Sequence, residues 1–102
     1  MIETAQHSPR GLRLSGHIDV PAARLAAVTA ALPDHIRLSR AEPGCLLFDV
    51  TPDPARPGRF NVSERFVDRA AFEAHQARVG ASDWGKITEG LPRSYRIEED
   101  RA

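Results

Sequence analysis

Hydrophobic and polar side chains alternate over residues 11–20, GLRLSGHIDV: Leu12, Leu14, Ile18 and Val20 fall to one side, and Arg13, Ser15, His17 and Asp19 to the other. A period of two marks a β-strand with one buried face. Gly16 interrupts the apolar row, which points to a bulge or to the close approach of another group. The period then changes. Over residues 21–44, PAARLAAVTAALPDHIRLSRAEPG, Leu25, Val28, Leu32, His35 and Ser39 recur at helical spacing. Pro21 suits the first turn of this helix, Asp19 stands close enough to help cap it, and Pro33 is expected to kink it or split it in two. Pro43 and Gly44 end it.

Alternation returns in CLLFDV, residues 45–50, with Leu46, Phe48 and Val50 on one face, and again in RFNVSERF, residues 59–66. The connection TPDPARPG between them holds three prolines and a glycine, a stiff loop rather than a two-residue turn. Asp68 is a good N-cap for RAAFEAHQARV, which puts Phe72, His75 and Val79 on one helix face. A short helix is expected from about Ser82, and RSYRIEE, residues 93–99, closes the pattern as a fourth strand.

The order β-α-β-β-α-β predicts an α+β domain of ferredoxin-like type, one four-stranded antiparallel sheet with its helices on one face. The helix-facing side should carry Leu12, Leu14, Ile18, Leu46, Phe48, Val62, Phe66 and Ile97. The other side should carry Arg13, Asp19, Asp49, Arg65, Arg96 and Glu98, with Leu47 and Cys45. A face of mixed charge with a few apolar groups suits either solvent or a second copy of itself.

Composition narrows the partners. The 102 residues suffice for one domain, read here over 11–102 behind a flexible tail at 1–10. Fourteen basic residues balance fourteen acidic ones, so the basic footprint that nucleic acid or an anionic membrane selects is missing. Cys45 is the single cysteine, which excludes an internal disulfide and fits a reducing compartment. No apolar run reaches membrane-spanning length, and MIETAQHSPR lacks the apolar core of a signal peptide, so the cytoplasm is the expected location.

One residue breaks the pattern that frames it. In the third strand Phe60, Val62 and Phe66 share a face, and Glu64 puts a carboxylate into that same row. Glu64, His75 and His35 thus point into one layer between helices and sheet, where Trp84 and Tyr95 add aromatic walls with a polar end. Burial raises a carboxyl pKa and lowers that of an imidazole, and pairing opposes both shifts, so such a couple is tunable for proton transfer near neutrality. A structural hydrogen bond for Glu64, and plain core packing for either histidine, stay open beside that reading. His7, His17, His35 and His75 lie too far apart in sequence to suggest a metal site, and no glycine-rich phosphate loop or nucleophile elbow is present.

The run HIRLSRAEPGCLLFDV, followed by FNVSERFVDRAAFEAHQA and then Trp84, resembles the antibiotic biosynthesis monooxygenase domain over about residues 12 to 98. The most specific pieces are SRAEPGC leading into a strand and the spacing E-x-F-x-D-x-x-A-F-x-x-H from Glu64 to His75. The resemblance implies a ferredoxin-like protomer that pairs through its sheet into a dimeric α+β barrel, with a pocket between sheet and helices. It also implies a cofactor-independent monooxygenase that oxidises a small aromatic, phenolic or quinol-type metabolite with O2 and needs no metal. An acid/base isomerase and a non-catalytic dimeric binder are the alternatives. On this reading His75 is the base, Glu64 orients it or shuttles its proton, and Trp84 stacks on the substrate. His35 and Tyr95 hydrogen-bond to it, and Phe48, Phe66 and Phe72 complete the apolar wall. In the haem-degrading branch a tryptophan stands where His75 is, and the iron ligand falls at the position of Thr88, a departure that argues against haem.

Overall fold

Each strand forms where the alternation places it. In the computed structural model, which describes residues 10–100, β1 spans Leu12–Asp19, β2 Cys45–Pro52, β3 Arg59–Phe66 and β4 Arg93–Glu99. The tail expected at 1–10 lies, Arg10 apart, outside the described residues. The strands pair antiparallel in the order β2-β3-β1-β4, which with the helices gives the ferredoxin-like arrangement. Helix α1 is Ala22–Arg40, α2 is Arg69–Gly80 and α3 is Asp83–Ile87, all on one face of the sheet.

Local chemistry explains the helix starts. Asp68 accepts a hydrogen bond from the Ala71 amide at 2.8 Å, and Ser82 accepts one from the Gly85 amide at 3.1 Å, so each satisfies a donor left open in a first turn. Helix α1 differs from expectation at its start, and of the two effects expected of Pro33 the split does not occur. Asp19 does not cap it; its carboxylate accepts two hydrogen bonds from Arg59, at 2.8 and 3.1 Å, and the N-cap position falls to Pro21, which has no side-chain cap. Nor does Pro33 split the helix. The proline ring faces water, while Val28, Leu32, His35 and Ser39 hold the buried face continuous on either side of it.

The core is a layer of Leu12, Leu14, Ile18, Phe48, Val62 and Phe66 from the sheet against Val28, Leu32, Phe72 and Trp84 from the helices. Burying each such large side chain contributes about 1.5–3 kcal/mol. Three sheet positions depart from the burial that simple alternation predicts. A bulge between Cys45 and Leu47 makes Leu46 the extra residue, 61% exposed, and turns Cys45 inward, where it pairs with Phe66. Ile97 keeps the inward parity, opposite Leu14, yet is 48% exposed because β4 is an edge strand with little helix over it. The uncovered inner side of β4 leaves room beside β1 and β3, and the cavity described below opens there.

Gly16 is what lets β4 close against β1. Its φ is 150°, and a Cβ at that position would fall 1.9 Å from the Ser94 carbonyl oxygen. Gly85 does the same for α3, whose backbone passes under the Val79 carbonyl at the end of α2. That close packing carries Trp84 into the layer between α1 and α2.

Candidate functional site

His75 sits at the centre of the layer, 2% exposed, with the rings of Phe66 and Phe48 at 5.0 and 5.3 Å. Its Nδ1 faces the Glu42 carboxylate, 2.9 and 3.1 Å from the two oxygens. A carboxylate only accepts, so Nδ1 carries the proton and Nε2 keeps its lone pair. Arg78, one helical turn beyond His75 on α2, donates through Nε to Glu42 at 2.5 Å and through its terminal nitrogen to Ser39 Oγ at 3.0 Å. The Arg78 guanidinium neutralises Glu42 and locks it behind the imidazole.

On the other side of the ring, Nε2 lies 3.7 Å from Glu64 Oε1. That separation is longer than a direct hydrogen bond. Glu64 is 7% exposed, and Oε1 has no hydrogen-bond partner. Burial, reinforced by the negative charge of Glu42, pushes the Glu64 pKa up to about 7. Burial also lowers the pKa of His75, while Glu42 pulls it back upward through its charge and its hydrogen bond. Burial thus opposes the charged form of each group, which favours the pair with Glu64 protonated and His75 neutral.

Both groups open onto a cavity of about 330 Å³, whose wall also includes His35, Trp84, Tyr95 and Arg93. His35, 6% exposed, stacks on Trp84 with ring centroids 4.4 Å apart and an interplanar angle of 3°. Its Nδ1 is buried with no partner, and burial, with the nearby His75 and Arg78, pushes its pKa down to about 3, so His35 stays neutral. Tyr95 projects from the inner side of β4, and desolvation raises its pKa. Buried polar atoms in native proteins are nearly always paired. Two residues on the wall of one cavity thus hold a buried atom with unused hydrogen-bonding capacity, His35 Nδ1 and Glu64 Oε1.

The structure thus brings Glu64, His75, His35, Trp84 and Tyr95 to one cavity. It places the three phenylalanines elsewhere: Phe48, Phe66 and Phe72 line no part of that cavity and pack behind His75 and against one another. Helical and strand periodicity marks a side chain as facing the layer but not how deep it lies. Trp84 offers one face to His35, not to an open slot. Three polar residues were missed. Arg78 follows His75 by three positions on the same helix, and Arg93 precedes Tyr95 by two on the same strand, so periodicity held a signal for both. Glu42 lies between α1 and β2, where no periodicity applies.

Among the described residues, no three His, Cys, Asp or Glu side chains group as a metal site, and no helix is long and apolar enough to cross a membrane. Thr88 is buried and donates its hydroxyl to the Trp84 carbonyl at 2.7 Å, so it has nothing to offer a haem iron.

A family model described as antibiotic biosynthesis monooxygenase matches residues 12–86. The sequence has no significant match among curated proteins. Among solved structures, the chain is similar to a protein from Nitrosomonas europaea provisionally named an antibiotic biosynthesis monooxygenase, with a TM-score of 0.77 and 22% identity over 87% of this chain and 88% of that one. A conserved protein of unknown function from Bacteroides thetaiotaomicron, described as a possible oxidoreductase, aligns with a TM-score of 0.76 and 20% identity over 88% and 97% of the two chains. A Deinococcus radiodurans protein, again provisionally named for the same monooxygenase activity, aligns with a TM-score of 0.71 and 25% identity over 89% and 91%.

Proposed function

The chain belongs to the antibiotic biosynthesis monooxygenase family, and from that premise we propose that it is a cofactor-independent monooxygenase that oxidises a small phenolic or quinol-type metabolite with O2. One observation carries this reading: a buried acid and a buried imidazole, the imidazole fixed in one tautomer by Glu42, come from separate elements to line a single cavity.

Such a substrate supplies the electrons itself. The His75–Glu64 pair takes the phenolic proton, with Nε2 as the accepting atom and Glu64 as the relay for it. The electron-rich anion passes one electron to O2, the two radicals join as a carbon-bound peroxide, and that peroxide eliminates water. One oxygen atom stays on carbon as a carbonyl and the other leaves as water. His35 and Tyr95 hydrogen-bond to the substrate oxygens, and Trp84 forms part of the aromatic wall that keeps water out. The protein acts as a cytoplasmic homodimer joined through the outer sheet face, where the exposed Leu47 pairs with Arg65 and Arg13 with Glu98.

Oxygen uptake with anthrone and naphthohydroquinone, followed above the uncatalysed rate and with a chelator present, tests the reading. We expect one O2 consumed per product formed. Conversion without oxygen uptake would favour an acid/base isomerase, and a raised melting temperature without conversion would favour a binding protein.

Glu42 acts through His75, so its effect belongs in the pH profile. Glu42→Gln should lower kcat by roughly a hundredfold, the lower end of what a positioned base contributes, because the amide no longer holds the imidazole in one tautomer. The charge of Glu42 raises the pKa of Glu64 and of His75 alike. Its removal lowers both, and the acid limb of kcat/KM moves to lower pH. A limb that stays in place would leave Glu42 a purely structural group.

A further inference from the structure

The cavity has five ionisable groups on its wall: His35, Glu64, His75, Arg93 and Tyr95. His35 is held neutral and Tyr95 keeps its proton. Glu64 holds its proton up to about 7, and Glu42, which lies behind His75 and not on the cavity wall, is ion-paired with Arg78. The one permanent, uncompensated charge facing this space is therefore the guanidinium of Arg93. It is held in place, since its terminal nitrogen donates to the Thr88 carbonyl at 2.7 Å, at the end of α3. Among the described residues no carboxylate comes within ion-pair distance of it. Arg93 is exposed and also lines the cavity, so it stands at the rim while the buried side chains of His35 and Glu64 line its inner part.

We propose that the substrate is an aromatic hydroxy acid, whose carboxylate docks on Arg93 at the rim while its hydroxyl reaches Glu64 and His35 within. This deepens the monooxygenase reading and rests on it for the use of the cavity. A planar guanidinium matches a carboxylate in two parallel hydrogen bonds, and one already tethered loses little freedom on binding. A cavity of about 330 Å³ suits a ligand of two fused rings. Arg93 then fixes which end of the ligand enters first, and so which oxygen meets Nε2 of His75.

Titration calorimetry with a matched pair of probes, 6-hydroxy-2-naphthoate and 2-naphthol, whose acid and hydroxyl stand at opposite ends of the rings, tests the assignment on the wild-type protein, Arg93→Gln and Arg93→Lys. The wild type should bind the acid at least about tenfold more tightly than the naphthol, with the difference shrinking at high salt. Arg93→Gln should bind both alike with its naphthol affinity unchanged, and Arg93→Lys should keep part of the preference. Equal binding of the two probes by the wild type, or a preference that survives in Arg93→Gln, overturns the proposal while leaving the cavity as a phenol site. Failure of both probes to bind overturns the cavity reading and this proposal with it. Arg93 is exposed, so matching melting temperatures should show that the variants fold.

Discussion

His75→Asn should lower turnover at least about a hundredfold while leaving the protein folded, the loss expected when a positioned base is removed. The choice of asparagine matters. Its amide nitrogen falls near the place of Nδ1 and can still donate to Glu42, so the bond that ties α2 to the segment before β2 survives. What disappears is Nε2, the atom that faces Glu64 at 3.7 Å. His75→Ala removes both, and it also opens a hole between Phe48 and Phe66, at a cost of about 2–4 kcal/mol. Comparing kcat of the two variants with their urea midpoints separates chemistry from packing. If the asparagine variant turns over at a tenth of the wild-type rate or better, the imidazole is not the base.

The routes by which these residues became visible differ. Glu64 was legible because it violates its own strand: a row of Phe60, Val62 and Phe66 has a carboxylate in it, and the structure buries that carboxylate as the row requires. His75 and His35 were legible through helical spacing, and both are buried. The strand order followed from element order alone, since split βαβ units leave few ways to pair four strands. The misplacements have a common origin in events that no local period records. The bulge at Leu46 depends on how β2 meets β3 and reverses two side chains at once. The exposure of Ile97 depends on where the helices stop. Asp19 satisfied a local capping rule but met Arg59 across the sheet, 40 residues away in sequence. Glu42 is the clearest case. It sits in a connection, and only the closure of α1, β2 and α2 on one another gives it His75 and Arg78 as partners.

The same burial that readies Glu64 for proton transfer has a cost in stability that a single substitution should expose. In the unfolded chain this carboxyl ionises near its ordinary value of 4.5, whereas in the folded protein it holds its proton up to about 7. Between those values the unfolded state releases a proton that the folded state keeps, so rising pH favours unfolding. The contribution of Glu64 is therefore greatest below about pH 4.5 and falls by about 3 kcal/mol as pH climbs through 7, after which it is level. Gln in its place imitates the neutral acid, since its amide can donate toward Nε2 of His75, and it cannot ionise. Glu64→Gln should thus match the wild type at pH 4 and exceed it by about 3 kcal/mol at pH 8, read from urea unfolding at each pH. The other titrating groups are common to the two proteins, so the difference reports Glu64 and its coupling to His75. Turnover should fall in the same variant, because the relay for the proton is gone. A variant whose stability tracks the wild type in parallel across that range would mean that Glu64 ionises normally, and the acid half of the proposed pair would be lost.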